Sequence, residues 1–360
     1  MSDFIDLRSD TVTKPTAEMN QAIQDAPLGD DVIGDCPTIN ELQRYTAELL
    51  GKEAAIFMPS GTMTNQIALR IHCKPGDEFI CEAGCHVYNY EQGAFAQLSG
   101  LMARTVPGDN GVLHVDQLRD LIMPDNEHFC VSKLVCLENT HNRGGGCVQP
   151  YDNVEDICNW AHENGLKTHL DGARLFNAVA ASGISAATWA QNFDTVSVCF
   201  SKGLGAPVGS ALVGPADMIA QARRHRKAFG GGMRQAGVIA AGALYAMQNN
   251  RERMTVDHEN AQLIADAVRN TDGIRLLDDQ VDTNIVIFLV DDEVTTAATL
   301  AGALGQKNVH CLALGPQRIR MVTHLDVSTE QVKTACAVLK ETVAEFIAGV
   351  ATDAPAGAQY

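Results

Sequence analysis

Short apolar runs rich in Val, Ile, Leu and Phe alternate with amphipathic stretches over the first two thirds of the chain. In TINELQRYTAELLGK, the residues Ile39, Leu42, Tyr45 and Leu49 recur at helical spacing and Gly51 closes the run, which predicts a helix. AAIFMPSG follows as a strand and TMTNQIALRIHC as a helix. The alternation continues through strand EFICE, a helix near NYEQGAFAQL, a helix over HVDQLRDLI, strand KLVCLENT and helix NVEDICNWAHENG. Strand KTHLDGA, helices in ARLFNAVAASG and ISAATWAQNF, and strand TVSVCFS complete it. Repeated strand–helix units predict an α/β domain whose mostly parallel sheet carries helices on both faces.

From about Asn249 the pattern changes. A long charged helix, NRERMTVDHENAQLIADAVRN, leads into strands GIRLL, NIVIFLV and IRMVTHL and a last helix, STEQVKTACAVLKETVAEFIAG. Fewer, more separated strands with helices beside them predict a smaller α+β domain. The expected division is an N-terminal arm over residues 1–14, a large α/β domain over 15–248, a small C-terminal domain over 249–350 and a tail over 351–360. The small, polar residues of that tail are expected to fray.

Charge narrows the functional classes. Twenty-seven basic against forty-four acidic residues leave a net charge of −17, which opposes binding to nucleic acid or to anionic membranes. No apolar run is long enough to cross a bilayer, and MSDFIDLRSD lacks the basic-then-apolar layout of a signal peptide, so a cytoplasmic location is expected. The eleven cysteines are odd in number and scattered through apparent core segments, which predicts buried free thiols rather than disulfides. CEAGCH, with Cys81, Cys85 and His86, has no second CxxC or HxxxH to complete a zinc site, and no metal is expected.

In open α/β sheets, ligands lie at the carboxyl ends of the strands. Four such ends carry polar residues. Ser60-Gly61-Thr62 opens a helix with amides that suit a phosphate, or with an ordinary N-cap. Asp171 and Arg174 in HLDGAR read singly as a helix cap and a solvated arginine. His86 follows EFICE, and a lone histidine is ordinarily a hydrogen-bonded structural group. Lys202 ends the run DTVSVCFSK before Gly203, Gly205, Pro207 and Gly209, where a surface lysine is the ordinary reading.

Together these parts answer one another. A phosphate cradle, a strand-end carboxylate, a flat ring that can stack and a strand-end lysine are what pyridoxal 5′-phosphate requires: a Schiff-base amine, an acid for the ring nitrogen, and donors for the phosphate. No GxGxxG follows the first strand and no GxxxxGK[ST] occurs, which argues against dinucleotide and P-loop readings. The glycines after Lys202 are expected to let the backbone pass a bulky cofactor and to let the lysine move.

The motifs DLRSDTVTKPT, PLGDDVIGD, FMPSGTMTN, HVYNYE, LENTHN, HLDGARLFNA, SKGLGAPVGS, GGGMRQAG and MVTHLDV, in this order over about Asp3 to Gly349, resemble those of L-threonine aldolases of the low-specificity or allo-threonine type. That family has the aspartate-aminotransferase fold, fold type I of the pyridoxal-phosphate enzymes. The resemblance implies Lys202 as the Schiff-base lysine, Asp171 on the pyridine nitrogen, His86 stacked on the ring, and Gly61 and Thr62 on the phosphate. It also implies a homo-oligomer, a dimer of dimers with shared sites, in which Lys227 and Arg234 reach the phosphate from a neighbour. Ser9, Arg174 and Arg320 would hold the substrate carboxylate, a role suited to the planar guanidinium fork.

The implied reaction is reversible retro-aldol cleavage of L-threonine, L-allo-threonine or another β-hydroxy-α-amino acid to glycine and an aldehyde, in threonine catabolism or glycine formation. His86, His128 in DNEHFCVSK, or a water held by the two is the implied base for the β-hydroxyl. Ile33 stands where relatives often carry tyrosine and Cys36 where they often carry an acid, and NRGGGCV departs at Asn142–Val148 from a more usual turn. These changes bear on preference at the β-substituent. Two other readings stand beside this one: a different carbon–carbon or β-eliminating lyase of the same fold, and a cofactor-free thiol or metal protein.

Overall fold

The computed structural model describes residues 4–351 and 357, so most of the expected tail over 351–360 lies outside the described residues. Two compact units emerge, one of Pro15–Arg251 and one of the described parts of Met1–Lys14 and Glu252–Tyr360. The division falls in the turn between helices Gly237–Asn249 and Met254–Arg269. In chain order the strands are β1 (Ile5–Asp6), β2 (Ala54–Met58), β3 (Glu78–Glu82), β4 (Met102–Val106), β5 (Ser132–Glu138), β6 (Lys167–Gly172) and β7 (Thr195–Cys199). They continue as β8 (Ser210–Gly214), β9 (Ile274–Leu276), β10 (Ile285–Val290), β11 (Val309–His310), β12 (Leu312–Ala313) and β13 (Arg318–Val322).

The unit Pro15–Arg251 is built on a seven-stranded sheet in the order β2-β8-β7-β6-β5-β3-β4. β3 to β7 pair in parallel, as the alternation predicts, and β8 alone runs antiparallel to both neighbours. The reason is local: parallel neighbours need a crossover, usually helical, and only a short helix-free loop separates Cys199 from Ser210. Every residue of β3 and β7, and all but the first of β6, is buried, which is why these strands read as near-continuous apolar runs. The helix Pro37–Leu49 buries Ile39 and Leu42 as its spacing predicts, and Gly51 ends it at positive φ.

One predicted helix does not form. HVDQLRDLI holds only the 3₁₀ turn Val115–Gln117, where the Gln117 side chain accepts from the His114 amide at 2.7 Å. Leu118 is fully buried, whereas Leu121 and Ile122 are not, and Pro124 follows at once. One buried position does not support a helical face.

All eleven cysteines are free thiols, eight of them buried. Cys81, Cys85 and Cys136 pack in one apolar cluster with Phe79, Leu69 and Leu134, where they act as small hydrophobes. Burial pushes the thiols of Cys73 and Cys311 up to about 12, far from the thiolate a nucleophile needs.

In the other unit, β12-β13-β10-β9 form an antiparallel sheet beside the helices Met254–Arg269, Ala297–Gln306 and Thr329–Ile347. The stretch expected as a separate arm is part of this unit: β1 pairs in parallel with β11, and Leu7 is buried in the core with Phe288, Leu300 and Leu339. Among the described residues no helix is long and apolar enough to cross a membrane.

Candidate active site

Three carboxylates stand at the carboxyl ends of neighbouring parallel strands: Glu82 on β3, Glu138 on β5 and Asp171 on β6, the last two in register with each other. All three are buried, so each must find donors. Glu138 accepts from the His86 amide at 2.6 Å and the Asn142 amide at 2.9 Å, and thereby ties the start of the helix His86–Asn89 to the sheet. Glu82 accepts from the amides of Gly84 and Gly108 and lies 2.8 Å from His141 Nε2.

Asp171 is held differently. Its Oδ1 accepts from the Ala173 amide at 3.1 Å and its Oδ2 from the side-chain amide of Asn65 at 2.8 Å. It does not cap the following helix, which begins at Leu175 with Arg174 in the cap position. Arg174 is itself buried, which overturns its reading as a solvated arginine.

His86 lies 3.0 Å through Nδ1 from Glu91 Oε1, and its side chain is 26% exposed whereas that of Glu91 is fully buried. The same carboxylate accepts from Asn65 Nδ2 at 2.9 Å and Gln66 Nε2 at 2.6 Å. One run of hydrogen bonds therefore joins His86, Glu91, Asn65 and Asp171. Burial pushes the His86 pKa down, but the Glu91 bond and the charges of Asp171 and Glu91 outweigh it and raise the value. Burial and the Asp171 charge raise the Glu91 pKa against the bonds from His86, Gln66 and Asn65. One ligand atom from each of His86, Glu91 and Asp171 lies within 4.8 Å of the others, a spacing a cation could use. The Asn65 amide bonded to both carboxylates already bridges them with hydrogens.

Asn65 and Glu91 belong to this hydrogen-bonded run and were not singled out by reading the sequence. They are the last letters of MPSGTMTN and CHVYNYE, two stretches singled out for other residues. Asn65 follows Gly61 and Thr62 by four and three positions on one helix, and that spacing places it on their face.

Lys202 lies in the loop between β7 and β8, which is pinned rather than loose. Phe200 donates to Gly209 O at 3.0 Å, Ala206 to Phe200 O at 3.0 Å, and Gly205 to Lys202 O at 2.7 Å. Gly205 has φ +83, and Gly209 has φ +111 with its α-carbon pressed so close to the Phe57 ring that a side chain would collide with it. These two glycines are thus required by the turn and its packing.

Ser60 caps the helix Gly61–His72 by accepting from the Met63 amide at 3.2 Å, which leaves the amides of Gly61 and Thr62 for a ligand. A side chain on Gly61 would come within 3.5 Å of Ser210 Oγ, a buried hydroxyl with no hydrogen-bond partner among the described residues. Ser197 Oγ, in register with Asp171, is likewise buried and unpartnered. Amides at a helix start, two orphan hydroxyls, a buried carboxylate, an imidazole and a lysine form a donor and acceptor set that fits pyridoxal phosphate.

The remaining expected residues lie elsewhere. His128 is 78% exposed, on the loop that leads into β5. That loop lines a cavity of about 720 Å³ with Lys133 and Asn164–Leu166, at the amino ends of β5 and β6. The structure therefore does not bring His128 to His86, which lies beyond the other end of the sheet. Lys227 is exposed, and Arg234 is 62% exposed and paired with Asp30 at 3.0 Å. Ile33 is exposed, and Cys36 is buried against Gly237. In the other unit, Arg320 on β13 is buried and donates to the carbonyl of Arg8, next to Ser9, whose hydroxyl accepts from the Thr11 amide at 3.2 Å.

The β-eliminating lyase family model matches residues 6–293. The chain is 45% identical over 335 residues to the low specificity L-threonine aldolase of Escherichia coli K12, covering 93% of this chain and 98% of that one. Identity to the low-specificity L-threonine aldolase 1 of Arabidopsis thaliana is 40% over 333 residues, 91% and 93% of the two chains. The solved threonine aldolase of Leishmania major superposes with a TM-score of 0.82 at 21% identity, over 94% of this chain and 99% of that one, and so shares the fold.

Proposed function

Because this chain belongs to the low-specificity L-threonine aldolase family, within the β-eliminating lyases, we propose that Lys202, Asp171 and His86 form its reaction centre. The enzyme is a carbon–carbon lyase of pyridoxal-phosphate fold type I that cleaves L-threonine to glycine and acetaldehyde. Bound at this centre, the cofactor supplies an electron sink for the pair released as Cα–Cβ breaks. The single observation that carries the assignment is the hydrogen-bonded run from His86 to the buried Asp171 at the sheet's carboxyl edge.

Within this reading, Lys202 holds the cofactor's aldehyde, Asp171 keeps its ring nitrogen protonated, His86 stacks on the ring, and the amides of Gly61 and Thr62 receive the phosphate. Lys227 and Arg234, both exposed, come to that phosphate from a second copy in a dimer of dimers, Arg234 by exchanging its Asp30 partner. Arg174, Arg320 and Ser9 receive the substrate carboxylate; the buried guanidinium of Arg320 beside the Ser9 backbone supports this. His86 Nδ1 is held by Glu91, so Nε2 takes the β-hydroxyl proton as the carbonyl of the aldehyde forms. L-allo-threonine and bulkier β-hydroxy amino acids are accepted as well, and the enzyme works in the cytoplasm in threonine breakdown or glycine formation.

Lys202→Ala tests the centre. The variant should fold and oligomerise like the parent, lose the yellow absorbance and the borohydride-fixed label on residue 202, and release no glycine or acetaldehyde from L-threonine. Retained cleavage would remove Lys202 from its role. Formation of a 2-oxo acid and ammonia by the parent would instead support β-elimination.

A further inference from the structure

Behind the two site carboxylates runs a chain of buried hydrogen bonds whose direction is set at every link. Asn65 Nδ2 faces two acceptors, Asp171 Oδ2 and Glu91 Oε1, so its Oδ1 must be the atom 3.2 Å from His169 Nε2. An amide oxygen only accepts, and His169 Nε2 therefore carries a hydrogen. His169 is buried and its pKa is driven down to about 4, so the ring is neutral and its Nδ1 accepts from Thr195 Oγ1 at 2.9 Å. Thr195, having donated, accepts from His72 Nε2 at 2.8 Å. Burial takes the His72 pKa down to about 3, so that ring is neutral too. Every dipole from His72 through Thr195, His169 and Asn65 points toward the carboxylates, an order in which successive bonds strengthen one another.

We infer that Asn65 and Glu91 are positioning residues of this reaction: the chain holds the Asn65 amide between Asp171 and Glu91, and Glu91 fixes the imidazole of His86 with Nε2 as its proton-transfer atom. The inference rests on the reading of His86 as the base. The Asn65 orientation is determined from behind by His169, so the amide cannot turn without losing all three of its bonds. Glu91 has the further donor Gln66 and is completely enclosed, so its carboxylate has no solvent to exchange partners with. The groups that face His86 are Glu91 from the following loop, Asp171 from β6, Lys202 from the loop after β7, Glu138 at its backbone amide and the Tyr90 ring at 5.7 Å. Of these, Glu91 alone touches the imidazole Nδ1 and ties it to Asn65.

The test is the titration of His86 in protein labelled with ¹³C-histidine, with and without cofactor, its signal identified by its loss in His86→Asn. Glu91→Gln keeps the volume and a hydrogen-bond acceptor but removes the charge, and should lower the His86 midpoint by about one pH unit. Glu91→Asp should restore most of it. Asn65→Ala should lower it as well, because losing the Asn65 donor raises the Glu91 pKa further and so weakens its hold on the protonated ring. In the loaded enzyme the acid limb of kcat/KM should move with the midpoint. A His86 midpoint unmoved in Glu91→Gln overturns the inference. A midpoint that moves while the acid limb stays supports the positioning and removes His86 as the base, so the two failures are told apart.

Discussion

Two histidine–carboxylate pairs of nearly the same length stand at the carboxyl edge of the large sheet in the unit Pro15–Arg251, His141–Glu82 at 2.8 Å and His86–Glu91 at 3.0 Å, and of these two the second has a nitrogen to spare. His141 is almost wholly buried, its Nδ1 takes the Gly144 amide at 3.1 Å, and Gly111 is packed against its ring. Its Nδ1 is taken, and its Nε2 is enclosed against Glu82. His86 is a quarter exposed and uses only Nδ1. The carboxylates differ in the same sense: burial pushes Glu82 up, but His141 and the amides of Gly108 and Gly84 hold it below the usual range, whereas Glu91 stays raised beside Asp171. A pair anchored to backbone amides is a fixed ion or hydrogen-bonded pair. One anchored to side-chain amides and a neighbouring anion can pass its proton on. A histidine beside an acid is thus not in itself a reaction centre; a spare nitrogen and an uneasy partner make it one.

The largest expected effect separates the pairs by what each loses. His86→Ala should lower kcat for L-threonine cleavage by about 10²–10⁴-fold, the usual contribution of a placed base, while the melting temperature moves little. His141→Ala should do the reverse and cost about 3 kcal/mol in denaturant unfolding, because Glu82 is left buried with its charge only partly compensated. If the melting curve fell in the first and activity in the second, the comparison would be inverted.

Acid titration sharpens the same contrast. Glu82 is lowered in the fold from an ordinary value near 4.5. Its stabilisation is therefore complete above that value and lost as pH falls through the folded one. In Glu82→Gln the slope of stability against pH below about 4.5 should flatten, which unfolding at a series of pH values reads directly. Glu91 is raised, so Glu91→Gln should leave that acid slope in place.

Much of this was readable from the chain. The strand ends carrying Asp171 and Lys202 follow from apolar runs that stop abruptly, and His86 from the position after EFICE. Asn65 and Glu91 were not read, because a side-chain amide has no pattern of its own and its role depends on which carboxylates the fold brings to it. The reversed direction of β8 depends on a loop length, and the purpose of Gly209 on the distant Phe57. HVDQLRDLI shows the opposite failure: its spacing suits a helix, and the fold offers it a single buried position.

Substituting glycine beside each pair gives a smaller and graded test. Gly111 has φ +86 and a side chain there would overlap the His141 ring, so Gly111→Ala should cost about 2–3 kcal/mol. Gly93, two residues after Glu91, has φ +62 and open space around its α-carbon, so Gly93→Ala should cost only the left-handed strain of about 1 kcal/mol. Denaturant midpoints at unchanged slope measure both. Equal costs would mean that the His141 side of the molecule gives way as easily as the His86 side.

His128 supplies the smallest effect on a single chain and a decisive one between chains. It is exposed at the amino edge of the sheet, so His128→Ala should leave the melting temperature within about a degree of the parent's, as surface changes do. Any loss of kcat in that variant has to come from a site belonging to another copy, since β5 and the sheet separate His128 from His86 in its own chain. Lys202→Ala and His128→Ala chains refolded together then offer a clear readout. A hybrid site combining Lys202 of one chain with His128 of the other is complete, and activity above the sum of the two separate variants would place His128 across a subunit boundary. Activity equal to that sum would leave His86 as the only histidine at the reaction, with the paired roles of Glu91 and Asn65 around it.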